Sequence, residues 1–233
     1  MKKLLGLCVL AMGVLRGGVT AFAADPNEPR QEALDRGALE VGFGVGFAIP
    51  AGKVGGLGYG PDPDLSHVTS GIVPLIIDVG YRIDRSIYLG LSLQYAFGFV
   101  NTEQYVSCEN SGVSCSISDL RIGLNFHYHL ALGLPVDSWV GFGVGYEWLR
   151  ASTSGSGYVD SETVSGFELA NFQLGFNIAD ESKLAISPFV SVSLGDYGGI
   201  SETHGPNGPL GVIEIHSWIL FGVRGVYDVP RHP

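Results

Sequence analysis

The stretch Val41–Phe47 reads VGFGVGF, and Val140–Tyr146 reads VGFGVGY almost a hundred residues later. A nucleotide-binding turn would need G-x-G-x-x-G at a strand-to-helix junction. Here glycine stands at every second position, with a bulky apolar residue between each pair. Side chains alternate across a strand, so this spacing describes a wall with one bulky face and one nearly bare face. The wider segment keeps the rhythm. Leu39, Val41, Phe43, Val45, Phe47 and Ile49 share one parity, and Glu40, Gly42, Gly44, Gly46 and Ala48 share the other.

The same alternation recurs seven times. Bulky residues of one parity fill Val73–Ile83, Ile87–Phe99, Leu120–Tyr128, Val140–Trp148, Ala170–Ile178, Leu184–Leu194 and Ile215–Tyr227. Each segment is long enough to cross a membrane when tilted. Pro188 breaks the seventh and belongs where a ladder hydrogen bond is dispensable. Three connections are short, at 84–86, 130–137 and 179–183. Four are longer, at 50–70, 101–118, 150–165 and 196–211, and rich in Gly, Ser, Asp and Asn. Tight turns at one end and long loops at the other describe an up-and-down barrel.

Volume decides which face points out. The bulky parity carries on the order of forty large apolar side chains, too many for the interior of an eight-stranded barrel. The other parity is mostly Gly, Ser, Asn and Gln with a few charges, which suits a narrow lumen. The expected fold is therefore all-β, an eight-stranded antiparallel up-and-down transmembrane β-barrel. Closure also pairs the backbone groups that lipid leaves without partners.

Composition agrees. Charged residues make up 15% of the 233 and there are 35 glycines. This is a poor surface for water. Lys2 and Lys3, the apolar run Leu4–Leu15 and the small-x-small pattern Ala21-Phe22-Ala23 read as a signal peptide over residues 1–23. Its removal leaves 10 Lys+Arg against 23 Asp+Glu, about −13, which excludes a nucleic-acid partner. Residues 24–36 form a short polar segment, 37–229 the barrel and 230–233 a tail.

The signal peptide, the eight alternating segments, WVGFGVGYEWL and the terminal WILFGVRGVYDV together resemble the small outer-membrane β-barrel proteins of the OmpA/OmpX type. The resemblance covers residues 37–229. It implies a monomer in the bacterial outer membrane that contacts outer-membrane lipid and lipopolysaccharide and is inserted by the barrel assembly machinery. An extracellular ligand at the long loops remains open. The chain has no room for the peptidoglycan-binding domain of full-length OmpA, and it ends on VPRHP rather than an aromatic residue.

Three groups of residues bear on function. Cys108 and Cys115 in the second long loop are expected to form a disulfide, since no histidine lies beside them to favour a metal. Charges of both signs point inward: Glu40, Asp78, Arg82, Asp119, Arg121, Glu147, Arg224 and Asp228. Buried charges need partners. Strand order sets Glu40 beside Arg82 and Arg224, and Arg121 beside Glu147. The structural reading is an ion-pair plug; the alternative is a narrow gated pore. His127 and His129 also point inward, as polar filling or as two metal ligands lacking a third. No cofactor is expected. A lipid A-modifying enzyme is the remaining alternative, although FHYHLALG lacks the serine such a deacylase needs.

Overall fold

The computed structural model describes residues 37–55, 64–101, 108, 112–130, 136–155, 158–179, 184–203, 207–211 and 213–229. The signal-peptide, N-terminal-segment and C-terminal-tail readings fall on residues 1–36 and 230–233, outside these. In chain order the elements are β1 (Ala38–Gly52), α1 (Leu65–Val68), β2 (Thr69–Arg82), β3 (Ile87–Val100), β4 (Ser114–His129) and β5 (Val136–Gly155). They continue with β6 (Tyr158–Ala179), β7 (Leu184–Asp196), β8 (Gly199–Glu202), β9 (Gly208–Pro209) and β10 (Ile215–Val229).

Strands β1 to β7 and β10 pair with their neighbours in antiparallel order, β5 joins β6, and β10 returns to β1. The barrel is thus closed with eight strands. Val41–Phe47 lies in the middle of β1, with Val45 opposite Val223 on one side and Leu75 on the other. The bulky parity faces outward all round. Phe43 is 63% exposed, Leu91 58% and Phe172 56%. Along β1 this belt runs from Leu39 to Ile49, roughly 25 Å once the strand is tilted, the height of a membrane-facing apolar band.

Glycines on the inner parity make space for neighbours' side chains. A Cβ on Gly46 would sit 2.6 Å from Leu220 Cδ1, and one on Gly175 would sit 2.5 Å from the Trp139 ring. At the short-turn end, Asp84 Oδ1 accepts from the backbone N–H of Ser86 (2.7 Å) and Ile87 (2.9 Å), closing the β2–β3 turn. Pairing of β6 with β7 passes from Gly175 opposite Phe189 to Ile178 opposite Ile186. The gap falls at Pro188, which has no N–H to donate.

Two connections differ from the sequence reading. Residues 150–165 are not a loop: β5 and β6 continue as a paired hairpin, with Arg150 opposite Thr163 and Gly155 opposite Tyr158. The outward face of this hairpin is Arg150, Ser and Thr for most of its length, so the apolar outward side that marks a strand inside the membrane vanishes, although Val164 on the inner side is buried. Residues 196–211 contain β8 and β9, which extend the same sheet from β6.

Candidate functional site

Side chains of the inner parity fill the lumen in two levels. At the short-turn end, Arg82 donates from Nε (3.1 Å) and Nη2 (2.5 Å) to Glu40 Oε2. Both side chains are about 2% exposed. Asp137 Oδ2 lies 3.8 Å from Arg82 Nη1 and 2.6 Å from His129 Nδ1. Asp228 stands opposite Glu40 across β1 and β10.

One step further in, Arg224 Nη1 lies 3.4 Å from Asp78 Oδ2, and its guanidinium sits 4.6 Å above the Trp139 ring. Arg224 Nη2 also reaches His127 Nδ1 at 3.5 Å. A guanidinium only donates, so Nδ1 is the acceptor and Nε2 carries the proton that goes to Gln173 Oε1, 3.2 Å away. The His127 ring is held between Tyr88 (4.8 Å) and Trp139 (4.4 Å). Trp139 Nε1 in turn donates to Ser187 Oγ at 3.2 Å.

The second level lies toward the loops. Arg121 bridges Glu147 (3.0 Å) and Glu168 (2.9 Å). Glu147 also accepts from Trp218 Nε1 (3.0 Å) and from the Tyr197 hydroxyl, and His216 Nε2 lies 3.4 Å from it. Tyr197 stacks on His216 with ring centroids 3.9 Å apart. Asn171 donates to Glu168 (2.7 Å), and Gln94 to Asp119 (3.3 Å). Around and above this cluster the filling is apolar. Leu65 and Val68 of α1, Ile72, Ile117, Leu149, Val164, Ile200 and Leu210 form one buried cluster with Tyr197 and Trp218. Between the levels lies a cavity of about 40 Å³, edged by Asp78, Gln94, Arg121, Asn171, Gln173 and Arg224. That is room for only a few water molecules.

The expected pairs compare residue by residue. Glu40 meets Arg82, and Arg121 meets Glu147. Arg224 turns to Asp78 instead of Glu40, and Asp119 binds Gln94. His127 and His129 are taken up by Gln173 and Asp137; among the described residues no three metal-ligating side chains converge. Cys108 and Cys115 lie with Cα atoms 5.7 Å apart, within the span of the expected disulfide. The sequence reading missed Glu168, because a bulge between Glu168 and Ala170 reverses the parity of β6. Phe167 and Leu169 point outward above it, Phe172 and Leu174 below it. It missed Tyr197 because that side chain enters from a connection, not a strand. It also described the inner parity as mostly small and polar, whereas Tyr88, Trp139, Phe189 and Trp218, all on that parity, supply much of the volume.

No family model and no curated protein sequence matches the chain. Solved structures do. AlkL, an outer-membrane protein determined in DMPC bilayers, is 17% identical with TM-score 0.50, covering 85% of this chain and 93% of its own. Neisserial surface protein A is 14% identical with TM-score 0.47, covering 80% and 95%. OprG from Pseudomonas aeruginosa is 13% identical with TM-score 0.46, covering 84% and 98%. The likeness to AlkL speaks to fold. Together with the continuous apolar belt it gives the chain the architecture of an integral β-barrel of the bacterial outer membrane. Within that class the chain has the small eight-stranded architecture of the OmpA/OmpX type.

Proposed function

We propose that the barrel is closed to solutes and serves the envelope through its outer surfaces, as a structural element or as a platform for surface interaction. The observation that carries this reading is the double obstruction of the lumen. Ion pairs joined by aromatic rings fill the short-turn half, and an apolar cluster fixed over the Arg121 network fills the loop half. A cavity of about 40 Å³ lies between them. Buried charges held from several strands resist displacement, since freeing one strands its partner in a medium that cannot solvate it.

The test is solute entry. Vesicles carrying the folded barrel should swell no faster in isotonic glycine, urea or arabinose than vesicles without it. Size-dependent swelling would overturn the reading in favour of a narrow pore. The lipid A-modifying alternative is answered separately, because lipid A mass spectra are expected to be the same with and without expression.

A further inference from the structure

Beyond the belt at the loop end, β4, β5, β6 and β8 continue as one sheet whose two faces differ in chemistry. Ser116 pairs with Ser152, Ser152 with Ser161, and Ser161 Oγ lies 2.8 Å from Thr203 Oγ1. The rung nearer the membrane is Ser118, Arg150, Thr163 and Ser201, and the rung farther out begins with Ser114 and Ser154. These residues share the outward parity of Leu120, Trp148 and Phe167, so their face continues the lipid-facing surface upward. The Tyr146 hydroxyl donates to Ser165 Oγ at 3.1 Å and ties the two zones together.

The acids lie on the other side. Asp160, Glu162 and Glu202 have the inward parity, and burial together with the Glu202 and Asp160 charges raises the Glu162 carboxyl above its usual range. Among the described residues of these strands above the belt, the outward face has hydroxyls, one guanidinium and, on the outermost rung, Val159, but no carboxylate. This is uneven for a chain with 23 acids and 13 bases. The face is also held in place: Ile117, Leu149, Val164 and Ile200 behind it belong to the apolar cluster. Ser152 stands four residues above Trp148, about 10 Å higher after tilting, at the level of headgroups rather than acyl chains.

We propose that this face docks the phosphorylated sugar headgroup of an outer-leaflet glycolipid. The hydroxyls, each both donor and acceptor, exchange hydrogen bonds with sugar hydroxyls, and Arg150, already 3.3 Å from Ser161 Oγ, takes a phosphate. Two arguments select this occupant: continuity with the lipid-facing belt, and exclusion of carboxylates from the side a phosphate would approach. The proposal rests on the outer-membrane reading. It does not depend on a closed lumen, so solute-entry results and docking results fail independently.

The test uses the folded mature barrel in phosphatidylethanolamine vesicles containing either lipopolysaccharide or, at matched negative charge, phosphatidylglycerol. Lipid retained after mild detergent extraction is counted by native mass spectrometry, and heat-shifted gel migration checks that each variant is folded. Ser152→Glu and Arg150→Gln should each lower retained lipopolysaccharide about three- to tenfold. Thr153→Glu, one residue away on the opposite face, should leave it unchanged. Equal loss in Thr153→Glu, no loss in Ser152→Glu, or equal retention of phosphatidylglycerol by the unaltered protein would overturn the assignment.

Discussion

The short-turn half of the lumen and the loop half are both lined by buried side chains, but these are held by different physics. In the first, paired charges and stacked rings come from strand positions: Glu40, Arg82, His127, Trp139 and Arg224. In the second, one ionic cluster centred on Glu147 is roofed by an apolar core that α1, Tyr197, Ile200 and Leu210 bring in from the connections. A lumen filled by strands alone is sealed by the barrel's own register. A lumen roofed by connections depends on those segments staying docked. The two halves should therefore respond differently to damage.

The largest effect is expected at Glu147. Its carboxylate serves Arg121, Trp218, Tyr197 and His216 together. Glu147→Ala should cost about 3–5 kcal/mol, since it leaves Arg121 partly uncompensated in the interior. Urea unfolding in lipid vesicles measures this. Arg82→Ala should cost somewhat less, about 3 kcal/mol: it strands Glu40, but the neighbouring Asp137 is 22% exposed and water can reach that end. Arg82→Ala alone should also leave the barrel non-conducting, because the loop-side roof is untouched. If it opens the barrel by itself, the roof does not seal and the contrast between the halves collapses.

The roof is sharpened further by the disulfide. Replacing Cys108 and Cys115 by Ser frees a loop closed over seven positions and should cost about 2–3 kcal/mol by loop entropy. Unfolding of the oxidised and reduced protein measures it; the short-turn half should keep its protection from hydrogen exchange in both. The smallest effect concerns pH. Glu162 has its carboxyl raised by burial and by Glu202 and Asp160. A raised acid favours the folded hairpin while protonated, so its contribution is present below the unfolded value of about 4.5 and fades as pH climbs through the folded value. Amides from Val159 to Thr163 should exchange more slowly at pH 4 than at pH 7 after correction for intrinsic rates. Glu162→Gln should remove that difference.

Much of the wall was legible in the sequence because a membrane enforces the contrast between faces. Leu39 to Ile49 could be read residue by residue. The inward placement of Glu40, Arg82, Arg121 and Glu147 followed from parity alone. Legibility failed where that contrast or that parity failed. Between Arg150 and Ser165 the outward face is mostly Ser, Thr and Arg150 rather than bulky apolar residues, so paired strands carry the composition of a loop. At Glu168 a single bulge moves an acid from one face to the other. Tyr197 reaches Glu147 from outside any barrel strand, and no periodicity records that. His216 and Trp218 were legible as inward-facing, but their convergence on Glu147 joins strands far apart in the chain and depends on closure of the whole barrel.

The central claim is that two independent obstructions close the lumen. It is tested most directly by single-channel recording in planar bilayers of the unaltered protein beside Arg82→Ala. The account predicts no steady conductance steps from either. Stable, ohmic steps from the unaltered protein would contradict it.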